Sequence, residues 1–375
     1  MDYRKKPQYH YRPEKGWIND PNGLVYFKGY YHVFYQHCPH HEYPWREPVH
    51  WGHARTRDFL LWEELPVALT PDMPYDIDGC WSGTALVKDD TLYLFYASIR
   101  ALEEYNSTDH TISKARKAET ISVARSTDGI HFEKYENNPV LDHFPSDGGP
   151  VFRDPAVAFL DGIYYCAVAS GNPESRTARL LLYQSEDLLN WRYAGIAGQW
   201  ENCIKAECPS LLPAGEQTLL ASSVCWDGGH RFSISFGSFV GSTFVPAVSG
   251  VMDRGPDQYA GQIFRDHKGR NILISWIPGW KYRGFIEKDI GCLSVPREIF
   301  LRDGKICGWP VQEVAHLLTD SDPAVIRTDT GFTISRAGRK PVIHNGPVYD
   351  LNIIRDEYLL EVFVNGGEDI YSVLL

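Results

Sequence analysis

No apolar run in this chain of 375 residues approaches the 18 or so residues that cross a bilayer as a helix, so a helical membrane protein is excluded. The start, Met1-Asp2-Tyr3-Arg4-Lys5-Lys6, has no apolar stretch behind its charges and does not read as a secretory signal; a cytoplasmic location is the expectation. Positive charge is in deficit, with 37 Lys and Arg against 48 Asp and Glu and a net charge of −11. Without a basic surface, neither nucleic acid nor an anionic membrane is an expected partner, and a neutral substrate fits better. The eight cysteines form no C-x-x-C pair and no zinc-spaced cluster with histidine, and a chain of this length does not need disulfides. Reduced, mostly buried thiols follow. His37, His40 and His41 stand together but have no nearby Cys or carboxylate at ligand spacing, and there is no Asp- or Asn-rich calcium loop. No metal and no cofactor is expected.

What the chain does have is a repeated pattern of hairpins. Five times a short strand runs into a tight polar turn and returns as a second aromatic or branched strand, with a carboxylate at or just before the first strand. The units are Asp20 with residues 23–35, Asp78 with 83–96, Asp154 with 156–169, Glu207 with 210–222, and Asp257 with 259–276. Polar turn dipeptides such as Asp89-Asp90 and Asp161-Gly162 between period-two apolar runs are hairpin signals. A recurrence at this scale means propeller blades or arrays. A second repeat supports the register: 57–62, 126–132 and 185–191 each place an Asp turn shortly before a large aromatic. The fold class expected is all-β, a five-bladed β-propeller. In a propeller the first strand of every blade lines the central channel, so carboxylates at equivalent positions converge. Asp78 and Asp257 have a plainer reading, since Asp before Gly or near Pro often only shapes a turn.

Aromatic residues are 13% of the chain, with 11 Trp and 22 Tyr, and strand packing accounts for most of them. Trp17, Trp45, Trp51, Trp81, Trp276 and Trp280 are different in flanking the carboxylate segments. An indole offers an apolar face to the C–H side of a sugar ring and an N–H to its hydroxyls, which points to a sugar pocket.

Three motifs in order, Trp17-Ile18-Asn19-Asp20-Pro21-Asn22-Gly23, Phe152-Arg153-Asp154-Pro155 and Glu207-Cys208-Pro209, resemble the signatures of glycoside hydrolase family 32, the invertases, sucrose-6-phosphate hydrolases and fructan β-fructosidases. Lesser matches include 34–36, 50–54, 81–83, 257–262 and 294–298, so the resemblance covers about residues 8 to 315. It implies a retaining β-fructofuranosidase acting on sucrose, sucrose 6-phosphate or short fructans. Asp20 would be the nucleophile, Glu207 the acid and then base with a raised pKa, and Asp154 the carboxylate that holds ring hydroxyls. Trp17, Asn19, Gln36, Trp45, Trp81, Ser82, Arg153, Tyr259 and Trp280 would form the sugar-binding residues. A fructosyltransferase using the same residues is the alternative enzyme, and a non-catalytic sugar-binding propeller the alternative of another class.

Two departures from the family pattern matter. His37-Cys38-Pro39 replaces the usual Tyr-Asn-Pro after Gln36, and Gly279 replaces the Asn usual before the Trp at 280. The larger departure is at the C-terminus, where a β-sandwich of family size has no room. The division expected is a catalytic propeller over 1–312 and a short C-terminal β module over 313–375. In that module 358–368 reads as one sandwich hairpin turning at Gly366-Gly367, and 319–340 as loops with short strands. A piece this small should pack on the propeller flank, or pair an open edge with another copy as a homodimer.

Overall fold

The computed structural model describes residues 5–42, 46–105, 112, 115–172, 174–278 and 291–375. Among these the chain is all-β, with helical geometry limited to the 3₁₀ turn Ala315–Leu317 and the 3₁₀ position Ile112. Five antiparallel sheets follow one another over residues 17–69, 79–134, 151–201, 205–251 and 259–310. Each is a meander of four strands in chain order, the fifth also carrying the short strand Cys292–Leu293.

The turns behave as their composition dictates. Lys28-Gly29, Asp89-Asp90 and Asp161-Gly162 all take positive φ at both central positions, the conformation whose twist matches that of the strands they join. The outer repeat is equally regular. Asp58, Asp128 and Asp187 each use Oδ1 to accept two backbone N–H groups, from Leu60 and Leu61, Ile130 and His131, and Leu189 and Asn190. The residue after each Asp, namely Phe59, Gly129 or Leu188, is left-handed.

The first strands are Trp17–Phe27, Gly79–Lys88, Val151–Leu160, Lys205–Ala214 and Tyr259–Arg265. Each packs against the next, and the fifth packs against the first. Side chains stitch the seams: Thr84 Oγ1 donates to the Pro155 carbonyl at 3.0 Å, and Ser210 Oγ accepts from Ile263 N–H at 2.9 Å. Asp20, Asp154 and Glu207 lie inside these strands rather than ahead of them, which corrects the expectation. The prolines that follow them read as strand breakers, but a first strand has one edge unpaired within its sheet and tolerates Pro there.

The C-terminal segment holds more sheet than expected. Val325–Thr328, Gly331–Ile334 and Val342–Asn345 form one three-stranded sheet, where the sequence reads mostly as loop, and Leu351–Asp356, Leu359–Val364 and Asp369–Leu374 form a second. The second is buried on both faces. Ile353, Leu360, Val362 and Val373 meet Phe332 and Ile334 of the first, while Ile354, Phe363 and Ile370 join the core of the fifth sheet beside Ile299 and Ile306. Its edges are also covered: Asp257 N–H donates to the Ser372 carbonyl on one side, and Thr319 bridges Ile353 on the other.

A buried ionic network fixes this packing. Arg297, fully enclosed, pairs with Asp253 at 2.7 Å and Glu361 at 2.7 Å, and donates to Ser372 Oγ at 2.6 Å. Glu361 also meets His10 Nε2 at 3.0 Å, and His10 Nδ1 lies 2.9 Å from Asp356. Asp356 in turn accepts the backbone N–H groups of Gln8, Tyr9 and His10. Next along, the Tyr11 carbonyl accepts Leu293 N–H at 2.8 Å, so the segment before the first sheet joins the fifth.

Two outcomes follow from these pairings. Replacing Arg297 by Met leaves Asp253 buried without a counter-charge and Glu361 with His10 alone, and should cost about 3–5 kcal/mol in urea unfolding. Burial alone would depress the His10 pKa, but its hydrogen bonds to Asp356 and Glu361 outweigh that and raise it to about 9. The folded form therefore holds a proton that the unfolded form, near 6.5, releases first. The His10 contribution is full below about 6.5 and lost as pH rises through about 9. Melting temperature should fall across that window in the native chain, and the fall should be blunted in His10→Gln.

Candidate active site

Register shifts put an extra residue into every first strand at about the same level. Asp154 is skipped between the pairs Arg153–Ala169 and Pro155–Val168, and Ser82 between Trp81–Ala97 and Gly83–Tyr96. Asn19 and Asp20 together oppose Gln36, Cys208 and Pro209 oppose Ser222, and Ala260 and Gly261 oppose Ser275. A bulge re-aims side chains locally. Asp154 (φ +55°), Cys208 (φ +48°) and Ala260 (φ +49°) are left-handed there, a costly conformation for residues with a Cβ.

The bulged residues meet. Cys208 is the junction: its N–H donates to Asp154 Oδ2 at 3.0 Å, and its thiol lies 3.4 Å from Asp20 Oδ2. Ser82 Oγ donates to the same Asp20 oxygen at 2.8 Å. Behind it runs a relay in which Gln36 Nε2 donates to Ser82 Oγ and Asn19 Nδ2 donates to Gln36 Oε1 at 2.8 Å. Asn19 Oδ1 is buried with no hydrogen-bond partner, leaving an acceptor that a ligand hydroxyl can satisfy. Glu207 Oε1 receives Arg153 Nη2 at 2.9 Å; its Oε2 receives Lys205 Nζ at 2.6 Å and the Tyr259 hydroxyl. Arg153 is gripped from behind by Glu119, at 2.9 and 3.1 Å.

The electrostatics partly reverse the expectation. Burial, then the Glu207 charge, raises the Asp20 pKa despite hydrogen bonds from Ser82, Cys208 and Asn19. Asp154 is raised to about 7, by burial and by the Glu207 and Asp20 charges, against the opposing Arg153. Burial pushes Glu207 upward too, yet Lys205 and Arg153 outweigh it and hold it well below its ordinary value. In the sugar-free site the proton thus resides on Asp154 more readily than on Glu207.

The remaining candidates divide. Trp81 is part-exposed beside the acids, its ring 5.6 Å from the Arg153 guanidinium carbon, and its N–H is unpartnered. Trp17, Trp51 and Trp276 are instead enclosed, at 0%, 0% and 2% exposure, so they form the bed beneath the site and present no face to a sugar. Arg153 divides its bonds between Glu119 and Glu207, and Tyr259 between Cys225 and Glu207. Asp78 and Asp257 are tie points, Asp78 accepting from Ala101 N–H and the Tyr105 hydroxyl, Asp257 from Leu374 N–H and Arg336. Trp45 and Trp280 lie outside the described residues. Sequence reasoning missed Lys205 and Glu119. Lys205 was within reach, since two residues before Glu207 on one strand is the same face.

A part-buried carboxylate held by a hydroxyl and a thiol, a second carboxyl held by two cations and a third that titrates near neutrality can together supply a nucleophile, a proton donor and an anchor for hydroxyls. Residues 10–310 match the glycosyl hydrolases family 32 N-terminal domain. The chain is 37% identical over 339 residues to a raffinose invertase of Escherichia coli, covering 84% of this chain and 67% of that one. It is 33% identical over 371 residues to a sucrose-6-phosphate hydrolase of Zymomonas mobilis, covering 93% and 69%. The chain thus spans about two thirds of the length of these relatives. Among solved structures, a Bombyx mori GH32 beta-fructofuranosidase in complex with sucrose superposes with a TM-score of 0.82 at 26% identity, over 100% of this chain and 89% of that one. The chain belongs to glycosyl hydrolases family 32.

Proposed function

We propose that the protein is a retaining β-fructofuranosidase that hydrolyses sucrose, sucrose 6-phosphate or short fructans by double displacement. The observation that carries this reading is the convergence of Asp20, Asp154 and Glu207, from three different sheets, around the left-handed Cys208. The ring of five sheets is read as a five-bladed propeller over 1–312, with 313–375 as a short β module on its flank. The eight buried cysteines, all in the thiol form, support a reducing, cytoplasmic setting. A homodimer through the C-terminal module would have to use its outer sheet, because the edges of the inner one are occupied.

In this reading Asp20, part-buried and oriented by Ser82, attacks the anomeric carbon. Glu207 gives its proton to the departing oxygen and later takes one from water. Asp154 and the Asn19–Gln36–Ser82 relay hold ring hydroxyls, and Trp81 offers its face and free N–H. Arg153 and Tyr259 orient Glu207. The proton held in the site must be on Glu207 for the first step, so the rate should decline on the alkaline side.

Release of reducing sugar from sucrose, sucrose 6-phosphate, 1-kestose, inulin and levan tests the reading. Asp20→Ala should abolish activity, and Glu207→Ala should lower kcat by about 100- to 10,000-fold. Activity that survives both substitutions would sink it. Asp154 yields a second test through stability. Its pKa, about 7 when folded against 3.8 when exposed, means the folded form binds more protons between those values, so stability falls as pH rises through them. Asp154→Asn should lose activity yet melt higher than the native chain above pH 7, by a margin on the order of 1 kcal/mol.

A further inference from the structure

Lys205 and Glu207 leave the same face of the strand Lys205–Ala214, and the lysine Nζ lies 2.6 Å from Glu207 Oε2. The lysine side chain is 36% exposed and the glutamate 12%, so the ammonium sits on the solvent side of the carboxyl. Arg153 occupies the other oxygen, but its charge is shared with Glu119 at 2.9 Å. Glu207 is the one carboxylate recorded as paired with Lys205 among the described residues. Nothing in the proposed chemistry calls for this lysine. Nucleophile, proton donor and hydroxyl anchor are complete without it, and it stabilises the form of Glu207 that cannot protonate a leaving group.

We propose that Lys205 is a positioning residue that holds Glu207 as the anion until a sugar displaces the ammonium, and so sets the upper pH limit of the reaction. The proposal rests on Glu207 being the proton donor. A leaving-group oxygen that reaches Glu207 must replace one of the carboxyl's present partners. Tyr259 is locked between Cys225 and Trp276, and Arg153 is locked by Glu119. Lys205, on a flexible four-carbon stem, is the partner able to swing away. The other groups facing Glu207 are Asp20 from the first sheet, Asp154 and Arg153 from the third, Cys208 and Cys225 from the fourth and Tyr259 from the fifth, with Glu119 of the second acting through Arg153. Of the two cations on Glu207, Arg153 and Lys205, Lys205 is the more accessible.

The test is the pH dependence of kcat/KM for sucrose from about pH 4 to about pH 9, which reports the free enzyme. Removing the cation weakens the anion, so Glu207 keeps its proton to higher pH. In Lys205→Met the alkaline limb should move up by roughly one pH unit, and Lys205→Arg should return it toward the native position. Lys205→Gln gives the same reading should the Met variant fail to fold. An alkaline limb unmoved in a Met or Gln variant that melts like the native chain would overturn the proposal. Full activity in Glu207→Gln would instead overturn the assignment beneath it.

Discussion

Everything at the centre depends on one backbone constraint, the extra residue that each first strand must accommodate. A regular strand points alternate side chains up and down and cannot deliver an acid, a thiol and a hydroxyl from neighbouring strands to one point. The bulges do so by turning Asp154, Cys208 and Ala260 into left-handed conformations that cost free energy wherever a Cβ is present. The surrounding sheets hold that strain in place. Trp17, Trp51 and Trp276, without exposure, make the floor rigid enough that the acids cannot relax away from one another.

The second dependence is charge. Asp20, Asp154 and Glu207 repel one another in a place where water is largely excluded, and burial alone would protonate all three. Arg153 and Lys205 prevent that, and they act unequally because both reach Glu207 and only Arg153 acts on Asp154. Glu119 then keeps Arg153 from being a net cation free to drift. The arrangement holds a mobile proton near neutrality, at a stability cost felt only when that proton is lost.

Much of this was legible in the chain. The hairpin turns, the outer Asp turns and the three acids follow from dipeptides and spacing, because a turn residue's conformation is a local property. The bulges were not, since a skipped residue is visible only against its partner strand. Nor was the burial of Trp17, which no feature of its own neighbours distinguishes from the part-exposed Trp81. The outer C-terminal sheet was legible only as short strands among loops for the same reason: Val325–Thr328 is mostly exposed, and it is Phe332 and Ile334 packing on the inner sheet that join these strands into a layer. The low pKa of Glu207 depends on Lys205, a neighbour in sequence, and on Arg153, which is not.

The bonds between Asp356 and the backbone of residues 8–10 join positions about 346 apart in the chain. Long-range contacts of this kind are made late, after the intervening chain has been ordered. During synthesis the first sheet leaves the ribosome before the strands that clasp residues 8–10 exist, and it must wait with an open flank through the making of five more sheets. The His10, Glu361 and Arg297 network thus works as a latch on assembly as well as a brace: the ring can be completed only when the last sheet arrives to lock the first residues in place.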